Sequence, residues 1–389
     1  MDTRYFNDRT GMSTQGSHAH MIRARLRISL YTVLLVLLAG CAAVPPSRVS
    51  SDSPPYAPVT TTPARERAAT PVLQQLADEA EALKPLAKSA LGQRFLDAAR
   101  ALPVIGTRTV YLNEITREYF SPDEKSALPA AAQAKLAEVK QDEYRYYYTK
   151  YGSPLAYLRP LELAATHGVS DVAGKVIMDF GYGGIGHLRI LASLGAHVTG
   201  IDPDSYLDAL YSSKRDQGAV PPAAGRRGQP GTVALVHGYW PKEPKIIERV
   251  GQGYDLILSK NTLKKGYIKP DRKIDKRQQI TLGVTDDAFL KAIHNALNPG
   301  GKMIIYNLYP KPPDAKGAYN PQADARSPFS REQYEKAGLE VIAINIEDHA
   351  AARAMGRLLK WDRNDKGEVT SNLDDTIYAM YTIVGRRSK

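Results

Sequence analysis

The sequence predicts an α/β protein with a mostly parallel, seven-stranded sheet and a helical extension in front of it. Three observations point there. From Lys175 onward, short apolar runs alternate with helical segments, which is the pattern of parallel strands joined by helical crossovers. The run Val176-Ile177-Met178 leads directly into a glycine-rich turn, Asp179 to Gly186. The next apolar run, Val198 to Ile201, ends in Asp202, about twenty residues further on, where an acid can accept both hydroxyls of a ribose.

The N-terminal segment reads differently. The formal charge of the 389-residue chain is +11, which favours anionic partners and does not identify a fold. The single cysteine, Cys41, rules out an internal disulfide or a cysteine metal cluster. Ahead of it stand Arg23, Arg25 and Arg27 and an apolar run from Ile28 to Leu38. That run is the short hydrophobic region of a secretory signal, well under the roughly 20 residues that span a bilayer. Met21 begins a well-formed signal, so translation is expected to start there. The ending Leu38-Ala39-Gly40-Cys41 resembles the lipobox of bacterial lipoproteins. The resemblance implies cleavage after residue 40 and acylation of Cys41, with palmitate among the chains. Ala42, in place of an aspartate, implies the outer membrane, facing the periplasm.

Residues 41–70 are rich in Pro, Ser, Thr and Ala and read as a disordered tether. Over 71–150 the chain reads as a helical extension. Leu73, Leu76, Ala80, Leu83 and Leu86 recur at helical spacing, and a second helical stretch is expected over 130–148. The crowd of Tyr144, Tyr146, Tyr147 and Tyr148 there serves either as core or as a lid over a ligand. Residues 151–389 form the main domain, with strands expected at 175–180, 196–201, 232–236, 254–259, 302–308, 339–345 and 376–384. Crossover helices fall near 184–194, 204–214, 243–250, 285–297 and 330–337. Residues 264–280 and 310–328 read as long loops.

A glycine-rich turn of this kind also serves dinucleotide-binding domains, so it needs a discriminator. Asp179 supplies one, because a carboxylate facing a pyrophosphate is repelled whereas one facing an ammonium or sulfonium is attracted. On these residues the sequence from Tyr151 resembles the class I S-adenosylmethionine-dependent methyltransferases. The family's first motif falls on Asp179, Gly181 and Gly183, and its ribose acid on Asp202. The fourth-strand motif falls on Tyr254 to Ser259, and the turn before the fifth strand on Leu297 to Lys302.

The resemblance implies a Rossmann-like sheet whose last strand is antiparallel, with S-adenosyl-L-methionine as cofactor. Its implied cofactor-binding residues are Asp179, Gly181, Tyr182, Gly183, Gly186, Asp202, Gly238, Tyr239 and Ser259. There are departures. Gly186 is displaced by one residue, and after the third strand His237-Gly238-Tyr239-Trp240 stands where an acid for the adenine amino group is usual. Two readings of His237 stay open, a strand-end histidine or an adenine contact. Tyr239 and Trp240 either line the site or pack on a neighbouring helix.

Methyl transfer from a sulfonium is a displacement from an activated donor, so the protein chiefly positions two reactants and no obligatory catalytic residue is expected. Lys260 and Asn261, at the end of the fourth strand, are the candidates for orienting an acceptor. The Asp/Asn-Pro-Pro-aromatic motif of amino-group methyltransferases is absent. The implied acceptor is a small molecule or an envelope component. Eight basic residues between Lys260 and Arg277 form either a solvated loop or a rim for an anionic acceptor or anionic lipid. Nucleic acid is disfavoured by the export signal and by the lack of interleaved aromatics, and no metal site is expected. Three functions remain: a methyltransferase, an envelope lipoprotein that keeps the fold as a binding module, and an NAD(P)-dependent oxidoreductase. The second gains weight from the compartment, because S-adenosylmethionine is made in the cytoplasm; a misread signal would leave the protein there.

Overall fold

A computed structural model describes residues 69–223, 228–312, 319–364 and 366–388. Cys41, the signal and the tether lie outside the described residues. No helix among the described residues is long and apolar enough to cross a membrane.

Among the described residues, eleven strands form two sheets: β1 Arg108–Asn113, β2 Tyr119–Phe120, β3 Leu136–Gln141, β4 Val176–Phe180, β5 His197–Asp202, β6 Gly218–Val220, β7 Gly231–His237, β8 Tyr254–Lys260, β9 Leu297–Tyr309, β10 Leu339–Glu347 and β11 Tyr378–Arg386. The larger sheet runs β10-β11-β9-β8-β4-β5-β7-β6. Strands β7, β5, β4, β8 and β9 are mutually parallel. β11 is antiparallel to both its neighbours, β9 and β10. All seven expected strands are present and all five expected crossovers are helical. This is the sheet of the class I methyltransferase fold.

The central strands are buried on both faces, which is why they read as continuous apolar runs. Their side chains alternate between two cores. Ile177, Leu256, Leu258, Ile304 and Tyr306 enter one core. Met178, Ile257, Met303 and Ile305 enter the other, with Phe289, Leu290 and Ile293 of the helix Asp286–Ala296. The first core also takes Leu76, Leu91 and Phe95 of the N-terminal helices Pro71–Leu83 and Ala90–Ala98, packed with Leu188 and Leu191 of the helix Gly186–Ser193. The extension and the sheet therefore share one core.

The extension is not all helical. Residues 130–148 form a one-turn helix, then β3, then the helix Glu143–Tyr148, and β3 pairs with β1 in an antiparallel sheet ordered β2-β1-β3. Only Gln141 of β3 is buried, so that strand carries little apolar signal. β9 begins at Leu297, earlier than expected, because Leu297 still pairs with Tyr254 across a register shift. The tyrosine crowd is largely core: Tyr146, Tyr147 and Tyr148 are buried, and their hydroxyls donate to Asp216, to the Pro103 carbonyl and to Glu79.

Candidate functional site

The site lies at the carboxyl ends of β4, β5, β7 and β8, where the strand order reverses about β4. Parallel sheets leave a crevice for ligands at such a point. At the end of β4 the chain turns through Gly181 (φ 77°) and Gly183 (φ 60°), backbone that L side chains rarely adopt. The Gly181 N–H donates to the Ile201 carbonyl at 2.8 Å and ties the turn to β5. A Cβ on Gly181 would lie 2.1 Å from Thr262 Oγ1, so close approach of the β8 loop requires glycine here as well.

Much of the glycine turn's open surface is covered by the chain itself. The strap of residues 149–154 crosses it, and a Cβ on Gly183 would lie 2.9 Å from the Tyr151 ring. A Cβ on Gly186 would lie equally close to Pro154, at 2.8 Å. Thr149 Oγ1 donates to the Gly183 carbonyl at 2.9 Å. The strap is anchored beyond the turn, where Lys150 Nζ donates to Asp204 at 2.8 Å and Tyr151 Oη to the same oxygen at 3.3 Å. The helix that follows does not aim every free amide at the crevice, since Ile185 N–H donates to Tyr211 Oη.

Two adjoining cavities occupy the crevice and share Lys150, Gly181, Asp202 and Thr262. The first runs along Gly181 to Gly184 under the strap and reaches Tyr157, His187, Lys260 and Asn261. The second continues past Ile201 and Asp202 to Gly238, Tyr239 and Trp240. Gly181, Tyr182, Gly183, Asp202, Lys260 and Asn261 thus line the first, and Gly238 and Tyr239 the second. Asp202 lines both, held at the end of β5, with Oδ1 accepting from Asp204 N–H at 3.0 Å.

Asp179, Gly186 and Ser259 line neither cavity. Asp179 is 0% exposed and lies below the turn, with Oδ2 2.6 Å from His187 Nε2. Oδ2 is thus engaged within the protein, while Oδ1 is buried without a hydrogen-bond partner among the described residues. Ser259 is buried because strand alternation turns it to the face opposite Lys260. Trp240 does both things open to it: it is buried edge-on against Phe180 and Phe289 and also walls the second cavity. Tyr239 stands at the rim. His237 lines a separate cavity beside Asp208 and Glu124.

Around Asp179 is a compact ionisable group. The Tyr157 and His187 rings stack, with centroids 3.5 Å apart, and Lys260 Nζ lies 5.5 Å from the centre of the Tyr157 ring. Burial pushes the His187 pKa down, and the contact with Asp179 opposes that. Burial, reinforced by the Asp179 charge, pushes the Tyr157 phenol well up. Burial lowers Lys260 to about 8, against the attraction of Asp179. The other lysines of the first cavity are engaged: Lys150 with Asp204, and Lys264, whose Nζ donates to the Leu308 carbonyl at 2.5 Å. Asn261 is partly spent on architecture, accepting from Leu308 N–H at 2.7 Å in a left-handed conformation (φ 62°).

No protein-family model matches the sequence, and no curated protein does. Among solved structures the chain is similar to the [4+2]-cyclase SpnF, at 16% identity over 59% of this chain and 81% of that one, with a TM-score of 0.35. It is similar to a sarcosine dimethylglycine methyltransferase described as putative from Galdieria sulphuraria, at 12% identity over 64% and 90%, TM-score 0.36. It is also similar to an S-adenosylmethionine-dependent methyltransferase from Mesorhizobium loti, at 16% identity over 59% and 98%, TM-score 0.36.

Sequence reasoning missed Thr149 to Pro154, Tyr157 and His187 as parts of the site. Each reaches it through a tertiary contact that leaves no local pattern. His187 alone had a clue, since it follows the last glycine of the turn.

Proposed function

We propose that the chain binds S-adenosyl-L-methionine along the two cavities and transfers its methyl group to a small-molecule or envelope acceptor. The observation that carries this reading is Asp202, an acid at the end of β5 that lines both cavities, in a sheet where antiparallel β11 sits between β9 and β10. A dinucleotide domain completes its sheet with a parallel sixth strand, which tells against the oxidoreductase. The adenine would lie by Gly238, Tyr239 and Trp240, the ribose on Asp202, and the methionyl tail along the glycine turn. The sulfonium supplies an activated methyl group, and the residues of this chain bind, orient and exclude water.

Isothermal calorimetry of the full chain against S-adenosylmethionine, S-adenosylhomocysteine and NAD tests the reading. Binding of the first two is expected. Asp202→Ala should weaken it roughly 10- to 100-fold, the worth of a hydrogen bond to a charged group. Preferential binding of NAD would sink the proposal. A second reading, a binding module without catalysis, is favoured by the strap over the glycine turn. It would be upheld by cofactor binding without turnover across an acceptor panel.

An anionic acceptor is proposed from the rim, where Arg272, Lys273 and Lys276 are exposed while Lys265 pairs with Asp271 and Lys269 with Asp286. Acceptor affinity that stays flat from low to high salt would discard that rim. We further propose that the chain is anchored through lipidated Cys41 to the bacterial envelope. An unmodified peptide running through Cys41 in mass spectrometry of the mature protein would exclude it.

A further inference from the structure

Three lysines line the first cavity, and two are held by the protein. Lys150 is paired with Asp204 and Lys264 with the Leu308 carbonyl. The Lys260 amine makes no hydrogen bond or ion pair among the described residues. It projects from the end of β8 into the cavity and rests beside the Tyr157 ring. Asp179, below the floor, attracts it without reaching hydrogen-bond distance, and Asp179 itself is turned to His187.

The position of this amine is informative. The two cavities join at Asp202 and Gly181. A nucleoside whose base is at Trp240 and whose ribose is on Asp202 must send its 5′ substituent into the first cavity, toward Gly183, Tyr157 and Lys260. The groups facing Lys260 are Asp179 from β4, His187 from the helix after the turn, Tyr157 from the segment before it, and Asp202 and Lys264 across the cavity. None of the acids among them is in ion-pair contact with Nζ. An ammonium that lines a cavity, and whose attracting carboxylate Asp179 is turned to His187, gains from a ligand that brings a carboxylate of its own.

We propose that Lys260 is the anchor for the α-carboxylate of the ligand's amino-acid tail, and that it selects adenosyl amino acids over adenosyl compounds lacking that carboxylate. This assignment rests on the adenosyl-ligand reading above. It makes Lys260 a binding and specificity residue, without a role in taking a proton from the acceptor. A carboxylate placed against Nζ favours the ammonium form. The lowered affinity of Lys260 for its proton then returns toward the ordinary range, and at pH near 8 the complex draws a fraction of a proton from the buffer.

The test compares S-adenosylmethionine with decarboxylated S-adenosylmethionine, which keeps the sulfonium, the ammonium and the nucleoside. Calorimetry of the full chain is run at pH 8 in two buffers of different ionisation enthalpy, on wild type, Lys260→Met and Lys260→Arg. Wild type should prefer the carboxylated ligand by about 10- to 100-fold and take up protons on binding it, but not on binding the decarboxylated one. Lys260→Met should lose both the preference and the proton uptake while holding the decarboxylated ligand as wild type does, a result that also shows the variant is folded. Lys260→Arg should restore much of the preference without proton uptake. Equal affinity of wild type for the two ligands, or an undiminished preference in Lys260→Met, overturns the assignment and leaves the functional reading intact. Failure of wild type to bind either compound overturns the functional reading and this assignment together.

Discussion

Lys260 places a charge where no carboxylate is within ion-pair distance of its amine, and that has a measurable effect on stability. Its amine is lowered to about 8 in the folded chain, mainly by burial, against 10.5 in the ordinary case. Between those two pH values the unfolded chain holds more protons than the folded one, so stability rises with pH through that window. At pH 7 the folded state carries the full penalty, roughly 1 to 3 kcal/mol. Lys260→Met should therefore be more stable than wild type in urea denaturation at pH 7, with the gap closing as pH approaches 10.5. A variant less stable at pH 7 would show that Nζ has a partner. The same neighbourhood marks where residue-level reading of the sequence stops. Asp179 was legible as the acid before the glycines, but its engagement by His187 depends on how the turn winds into the helix.

Between elements, the clearest link is made by Arg159 of the helix Leu158–Thr166. Its Nε and Nη2 donate to both oxygens of Asp348, at 2.7 and 2.8 Å, and Tyr306 of β9 donates to the same carboxylate at 3.0 Å. Asp348 stands immediately before the helix His349–Leu358. One carboxylate thus joins two helices and a central strand. Asp348→Ala leaves the guanidinium and the phenol without their acceptor and should destabilise the protein by about 2 kcal/mol, less than a fully buried pair because Arg159 is 30% exposed. A loss under 0.5 kcal/mol in denaturant would place the weight elsewhere. The strands of the large sheet were legible because both faces of β4 and β8 are covered, so their central positions, Val176 to Met178 and Leu256 to Leu258, are continuously apolar. β1 and β3 are half-exposed and β6 has only three residues, so neither continuous apolarity nor clean alternation marks them. The cavity's strap, Thr149 to Pro154, was illegible for another reason: its role is fixed by contacts with Gly183 and Asp204, which are distant in sequence.

Taken as a whole, the molecule does not separate into a sheet and an attachment. Leu76, Leu91 and Phe95 share a core with Leu188 and Leu191, and the described residues from Ala69 onward form one compact unit. Ending the chain before Tyr378 should be far more damaging than its length suggests. β11 is an inner strand, and without it β9 loses one neighbour and β10 its only one. The truncated protein should lose cooperative unfolding in circular dichroism. Replacing Ala219 of edge strand β6 with proline should leave the transition cooperative, with at most a modest shift. A cooperative transition in the truncated form would refute this.

The placing of β11 also bears on the order of events during synthesis. A chain leaves the ribosome N-terminus first, so β9 and β10 are both made before the strand that must lie between them. Until residue 386 has emerged, β9 has a bare edge and β10 has nothing to pair with, a configuration that invites pairing with other chains. The last quarter of the protein consequently cannot set until translation has passed it, which gives a chaperone an interval in which the polypeptide is still loose enough to handle.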